Sequence, residues 1–510
     1  MDEGIGEECG IAAVYLENGS KDENAAFYLY RMLLNMQNRG QLAAGITTYN
    51  KKRDQIINTY RNLGTVNEAF STNNPIKTAY IFKKYSGDRG IGHIRYATFG
   101  KNEKSYAQPF ERHHGKKFKW FSFAFNGNIA NFQELKKELN EEGYHLIQNT
   151  DTEAMMHYLS LEIRDSGGQK RGLTEVFSNL SKKFDGAYNI VFMNAEGEIA
   201  IVRDPMGFRP LCYGKNKDKT LIASESNALI NCGITKFDSL EPGKIILIKD
   251  GKMEIKKFAE CKRKAHCMFE WVYFANVSSV LNGKSVYITR TNLGKNLAKL
   301  ETEKITKEHI VVPVPDTAKA AGDSFAFALG LPSHEGLIRN RHVGRTFIEN
   351  VNRSDKVKNK YTVQKEILKG KKVLLVDDSI VRGTTIGEIV KYIKDVGEAK
   401  EVHLRVSCPP IMCPCFYGID MSTVRELFAC RYFNELGQDN LPDEVLKKMA
   451  KEMGADSLIY QSISGLIDAI GLPKEELCLA CLNGDYPTEW GKKLYKESLK
   501  NKDKKKRTYE

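Results

Sequence analysis

The segment VLLVDDSIVRGTT, residues 373–385, constrains this chain more than any other. A short apolar run delivers two adjacent carboxylates, then a loop of small and hydroxyl residues opens a helix. TTIGEIVKYIKDVG (384–397) continues with the apolar spacing of an amphipathic helix. HIVVPVPD (309–316) and EVHLRVS (401–407) read as further buried strands. Such strands alternating with helices predict a parallel α/β sheet, whose ligands lie beyond the carboxyl ends of the strands. Asp316, Asp377 and Asp378 fall there. Backbone N–H groups of Arg382, Gly383, Thr384 and Thr385 can converge on a phosphate at the helix N-terminus, with Ser379 and the two threonines adding hydroxyls. Gly383 removes a Cβ from the approach. No GxxxxGK[ST] occurs, so this is not a Walker A loop. The plainer alternative is a charged turn at a strand end.

The segment resembles the phosphoribosyl-pyrophosphate loop of type I phosphoribosyltransferases. The resemblance implies a 5-phosphoribose substrate activated by pyrophosphate, with Asp377 and Asp378 on the ribose hydroxyls and on one Mg2+ per subunit. Thr317, in VPDT (314–317), matches the family position for a further Mg2+ contact. IRNRHVGRTFI (338–348) looks like the family's pyrophosphate-covering loop, with Arg341 and Arg345 as its substrate contacts.

The first half reads differently. GIAAVYL (10–16), AYNIVFM (187–193) and GKIILI (243–248) are short strands, and EPGKIILIKDGKMEI (241–255) predicts a hairpin turning at Lys249–Gly251. NFQELKKELNEEG (131–143) predicts a helix stopped at Gly143. Cys9, NRGQLAAGI (38–46), GIGHIRYATFG (90–100), AQPF (107–110), FNGNIAN (125–131) and TDTE (150–153) follow in order. Together they resemble the class II glutamine amidotransferases, whose nucleophile is an N-terminal cysteine. A thiolate with its own α-amine as base needs no separate histidine. Asn126 and Gly127 suit the oxyanion, Arg95 the α-carboxylate of glutamine, and Asp151 its α-ammonium. The amine exists only if residues 1–8 are removed, so these read as a propeptide.

The two halves together resemble the glutamine phosphoribosylpyrophosphate amidotransferase family over roughly residues 9–490. That resemblance implies glutamine hydrolysis at Cys9 and ammonia transfer to C1 of the sugar. The products are 5-phosphoribosylamine, glutamate and pyrophosphate, in the first committed step of purine synthesis. The implied architecture is an α+β N-terminal-nucleophile (Ntn) hydrolase sandwich at 9–260 and an α/β phosphoribosyltransferase domain with a parallel sheet at 261–490. A basic tail at 491–510 completes the expected organisation. It also implies a cytoplasmic homo-oligomer, a tetramer by resemblance, with purine nucleotides as feedback inhibitors. CMFEWVYFANVSS (267–279), PCFYGIDM (414–421) and LCLACLNGDYPTE (477–489) resemble the family branch with a [4Fe–4S] cluster, which makes Cys267, Cys415, Cys478 and Cys481 its ligands. Four thiolates also suit zinc, and Cys408 and Cys413 lie close enough to Cys415 to compete. ANVSS (275–279) and Leu42 depart from the family pattern.

Composition narrows the alternatives. The chain of 510 residues carries a formal charge of +13, but residues 491–510 alone hold nine Lys or Arg against three Asp or Glu. No helix-turn-helix, zinc-finger or RNP pattern accompanies them, so neither nucleic acid nor membrane is an expected partner. Two other readings stand beside the enzyme: a non-enzymatic regulator on this fold, which has no need of Cys9 or the acidic pair, and a nucleobase phosphoribosyltransferase with an appended domain.

Overall fold

The computed structural model describes residues 9–17, 24–96, 103–163, 170–340, 353–421 and 423–500. Residues 1–8, Arg341 and Arg345 lie outside the described residues.

The strand Gly10–Leu16 is buried along its whole length because it is central to a seven-stranded antiparallel sheet. Its alternating side chains serve two cores. Ile11 and Ala13 face a six-stranded antiparallel sheet through Val191, Ile201 and Ile246. Ala12 and Val14 pack outward on Leu29 and Leu33 of the helix Ala25–Asn35, whose first turn is capped by the Asn24 side chain. The second sheet is covered by Phe132–Glu141, Asp151–Glu162 and Leu173–Leu180. The result is four layers, helix–sheet–sheet–helix. The hairpin Lys244–Lys249 to Lys252–Lys257 closes this unit, with Asp250 and Gly251 at φ +47° and +78° forming its two-residue turn.

The second unit is a parallel sheet in the order His309–Pro313, Lys372–Asp377, Glu401–Val406, Ser457–Tyr460. Val311, Leu374 and Val376 pack on Ala321 and Phe325 of one flanking helix. Val373 and Leu375 face the other side, in the same core as Ile386 and Ile389 of the helix Thr384–Asp395. Consecutive residues thus alternate between two buried faces, which is why these strands are apolar throughout.

The expected basic tail does not begin at residue 491. Glu489–Lys500 is an amphipathic helix with Gly491, Leu494 and Ser498 buried. A Cβ at Gly491 would stand 2.1 Å from the Tyr417 hydroxyl, so the helix lies directly on the phosphoribosyltransferase core. Trp490 N–H donates to Asp185 of the first unit at 3.1 Å. Lysine density on its outer face hid this helix; only 501–510 lie outside the described residues.

The two units are joined by buried charge. Arg39 donates through Nε to Glu225 at 2.5 Å and through Nη2 to Glu270 at 2.6 Å, and Arg209 approaches Glu270 at 3.5 Å; all four side chains are at most 1% exposed. Glu225 also accepts from Asn276 N–H and the Ser279 hydroxyl, so the ANVSS segment grips this carboxylate. Two arginines balance two glutamates, and removing one charge strands another in low dielectric. Glu270→Gln is therefore expected to cost about 3 kcal/mol and lower the thermal unfolding midpoint. Lys137→Ala, which removes an exposed pair with Glu141, should change stability by less than about 0.5 kcal/mol. Equal midpoints for wild type and Glu270→Gln would show that the network does not hold the units together.

Candidate active sites

Cys9 stands one residue before the central strand of the first sheet, and Gly10 pairs with Ile94, one residue before Arg95. That register sets Cys9 beside the end of the strand Arg89–Arg95. The Cys9 thiol donates to Tyr96 O at 3.5 Å, and the thiol, Arg95, Tyr106, Gln108, Gly127 and Asp151 line one cavity. Arg95 lies over the Tyr106 ring, 5.5 Å from its centroid. The cavity therefore sets a thiol, a guanidinium and a carboxylate against one small volume.

Asp151 starts the helix Asp151–Glu162. Its carboxylate accepts from Thr152 N–H at 2.7 Å and Ile129 N–H at 3.3 Å. Burial nevertheless pushes its pKa up to about 6, against those hydrogen bonds. Asn126 and Gly127 lie on the strand Phe121–Ile129. Gly127, at φ +148°, would put a Cβ 1.9 Å from Ala187 O, so no larger residue fits. Asn126 Nδ2 donates to Ser224 Oγ at 3.4 Å, and Ile11 N–H donates to the same hydroxyl at 3.0 Å. Ser224 thereby braces the strand that follows Cys9 against Asn126, and its neighbour Glu225 enters the interface network. The bridge spans 98 and 213 positions, so no local sequence signal announces it.

In the second unit, Asp377 ends the middle strand of the parallel sheet. Asp378 N–H donates to Asp377 Oδ1 at 3.0 Å, Ser379 Oγ donates to Asp378 Oδ1 at 2.7 Å, and Thr317 Oγ1 donates to Asp378 Oδ2. Burial and repulsion from Asp378 drive the Asp377 pKa well above the carboxylate range; burial raises Asp378 too, opposed by Thr317, Ser379 and Arg290. Two crowded carboxylates and a hydroxyl make an oxygen donor set suited to a hard divalent cation such as Mg2+. Arg290, buried and anchored on the carbonyls of Trp271, Tyr273 and Ala275, escaped the sequence reading because it sits inside a helix.

The loop then turns at Gly383, φ +78°, into Thr384–Asp395. Thr384 Oγ1 is buried with no hydrogen-bond partner, an open polar position at a helix N-terminus. Arg382 directs its guanidinium away to Glu426, at 2.8 and 2.5 Å, leaving its backbone for the loop. Gly383 has a further reason to be glycine: a Cβ there would strike the Phe428 ring at 2.6 Å.

Cys267, Cys415, Cys478 and Cys481 line one apolar cavity with Phe208, Phe269 and Tyr486. Cys267 pairs in register with Cys478 in a short parallel bridge. Burial, then repulsion from Cys267, Cys478 and Cys415, drives the Cys481 thiol well up, and Cys478 is pushed to about 12. Neutral thiols crowded in a dry cavity gain from a cationic centre that holds them as thiolates, so the residues fit a four-thiolate group. Cys408 and Cys413 do not line this cavity; Cys413 reaches Tyr495 OH at 3.5 Å.

Two family models match the chain, one described as a glutamine amidotransferase domain over residues 93–231 and the other as a phosphoribosyl transferase domain over residues 291–411. The amidophosphoribosyltransferase of Methanothermobacter thermautotrophicus is 38% identical over 488 residues, covering 95% of each chain. That of Bacillus subtilis is 34% identical over 495 residues, again 95% of each. A solved structure of the glutamine phosphoribosylpyrophosphate amidotransferase from B. subtilis, complexed with ADP and GMP, superposes with a TM-score of 0.81 at 33% identity. It covers 94% of this chain and 98% of that one.

A carboxylate that receives an ammonium group must be ionised, and burial makes Asp151 take up its proton near pH 6 instead of pH 4. On acidification below about 6, kcat/KM for glutamine is expected to fall toward tenfold per pH unit. Asp151→Asn should give a low profile that lacks the step near pH 6 and keeps only the limb set by the base of the Cys9 thiol. A wild-type profile flat down to pH 5 would remove Asp151 from glutamine recognition.

Proposed function

The chain belongs to the amidophosphoribosyltransferases, and from that membership we propose how its residues divide the work. The activity moves the amide nitrogen of glutamine to C1 of 5-phosphoribosyl 1-pyrophosphate, yielding 5-phosphoribosylamine, glutamate and pyrophosphate. The observation that carries the division is the pairing, within one chain, of a thiol–guanidinium–carboxylate cavity with a buried acidic pair before a helix N-terminus.

At the first site, Arg95 and Asp151 hold the two ends of the glutamine backbone, and the Cys9 thiolate attacks the side-chain amide carbon. Asn126 and the Gly127 backbone face the oxyanion, and Asn126 turns from Ser224 to do so. The nearest base for the thiol is its own α-amine, so we propose that residues 1–8 are a propeptide whose removal creates the base. Ammonia leaves as the acyl-enzyme forms, and water then releases glutamate. At the second site, the N-terminus of Thr384–Asp395, with the open Thr384 hydroxyl, takes the 5-phosphate, and Asp377 and Asp378 hold the ribose hydroxyls. Mg2+ held by Asp377, Asp378 and Thr317 would offset the charge of the departing pyrophosphate. Arg341 and Arg345 are proposed to cover it.

The four cysteines are proposed to hold a [4Fe–4S] cluster that ties the C-terminal segment to the core, with no part in either reaction. Four thiolates suit a cubane cluster and tetrahedral zinc alike, so metal analysis decides between them. ADP and GMP in the B. subtilis relative support purine nucleotides as regulators here; a homo-oligomeric assembly and a place at the start of purine synthesis are proposed from family membership alone.

Cys9→Ala should abolish glutamine-dependent synthesis while keeping synthesis from ammonia within about threefold of wild type. Loss of both in a folded variant would overturn the division into two sites. Cys478→Ser replaces a soft thiolate with a hard hydroxyl and is expected to yield iron-poor protein in which Glu489–Lys500 becomes protease-sensitive. Iron, sulfide and zinc analysis of anaerobically purified wild type decides the metal; four zinc-bound thiolates would overturn the cluster.

A further inference from the structure

We propose that Glu303, His309 and His403 form a binding site for a divalent transition-metal ion of zinc's class, at the end of the parallel sheet opposite the acidic pair. His309 is the first residue of its strand and His403 the third of another, with Lys372–Asp377 between them. His309 aligns with Lys372, and Lys372 with Glu401. By the two-residue period His309, Glu401 and His403 share one face of the sheet. Glu303 comes from the connection leading into the His309 strand. One ligand atom from each of Glu303, His309 and His403 lies within 4.8 Å of the others.

The surroundings of each ring suit a metal ligand. His309 is 1% exposed, and its Nε2 is buried with no hydrogen-bond partner. Thr306 N–H donates to its Nδ1 at 3.0 Å, and the Thr306 hydroxyl lies at the same distance. Binding an ion through Nε2 moves the ring proton to Nδ1, toward that hydroxyl, and gives up the bond from Thr306 N–H, which belongs to an exposed residue. His403 has the complementary arrangement. Its Nε2 lies 3.1 Å from Glu401 Oε2, so the carboxylate keeps the proton there and leaves Nδ1 as the lone pair. That Nδ1 is 3.9 Å from Glu303 Oε2 and 2.9 Å from Ser457 Oγ, whose hydroxyl donates to it until an ion takes its place. A carboxylate behind a ligating imidazole is the usual outer shell of such sites.

Neighbouring cations do not defeat the site. Lys372 pairs with Glu401 at 2.9 Å, and Arg405 is held by the buried Glu301 at 2.6 Å. Two imidazoles and a carboxylate select Zn2+ or Co2+ over Mg2+ and leave a fourth position for water. Asp377 lies at the carboxyl end of the middle strand, so the ion has no part in transfer. It fastens the connection carrying Glu303 to the two strands that carry His309 and His403.

Co2+ alone is the probe, added to iron-replete, full-length enzyme so that the four cysteines are occupied. Wild type is expected to bind one Co2+ per chain with ligand-field bands, without thiolate charge-transfer absorption, and with a higher thermal midpoint. Glu303→Gln should weaken binding at least tenfold and His309→Gln further, with amidotransferase turnover within twofold of wild type for both. Glu303 sits half-buried on a connection, so its variant decides the matter if His309→Gln folds poorly. Absence of Co2+ binding in wild type, or equal binding in wild type and Glu303→Gln, would overturn the site.

Discussion

The buried ion network of Arg39, Glu225, Glu270 and Arg209 is the constraint on which the rest of this molecule depends. Each charge is withdrawn from water and met by groups from distant parts of the chain. Such pairs add little net stability over an apolar contact, but they penalise every misaligned arrangement. The two units can therefore dock in one register. Further bonds follow it: Asn128 Nδ2 to Phe416 O at 2.9 Å, and Arg209 Nη2 to Tyr417 O at 2.6 Å.

That register connects the two chemistries. From Cys9, the strand beginning at Gly10 is braced by Ser224; Glu225 follows and accepts from Asn276 and Ser279. Glu270 opens the helical turn Glu270–Phe274, two of whose carbonyls, with that of Ala275, anchor Arg290, the cation that stabilises ionised Asp378. The interface is dry as well as aligned: Ala130, Ala187 and Phe208 of the first unit share a core with Phe269, Phe274 and Tyr417 of the second. Ammonia crossing such ground stays unprotonated and so keeps its lone pair, which is the chemical reason to join the two activities in one chain.

Local features were legible in the sequence because local physics dictates them. The strand–acid–loop–helix of 373–385 and the hairpin turn read at Lys249–Gly251 each depend on neighbours within a few residues. Ordered motifs likewise brought Cys9, Arg95 and Asp151 to notice, and the fold lines them on one cavity. What escaped depends on distant partners. Arg39 meets Glu270 across 231 positions, and no spacing rule announces that contact. The clash of a Gly383 Cβ with the Phe428 ring, 45 positions away, is likewise invisible to local spacing. The helix Glu489–Lys500 was read as tail because lysine count outweighed a periodicity that only docking on Tyr417 makes meaningful.

The central claim is that the charge-locked interface conducts nitrogen from Cys9 to the phosphoribosyl site without release to water. The direct measurement supplies glutamine labelled with 15N at its amide together with unlabelled ammonia, at a level exceeding the ammonia released but too low for ammonia-driven synthesis to add appreciably to the rate, and reads the label in the product by mass spectrometry. Wild type should retain nearly all of the label, and Glu225→Gln should lose it toward the value of the mixed pool while still hydrolysing glutamine. Full dilution of the label in wild type would contradict the account.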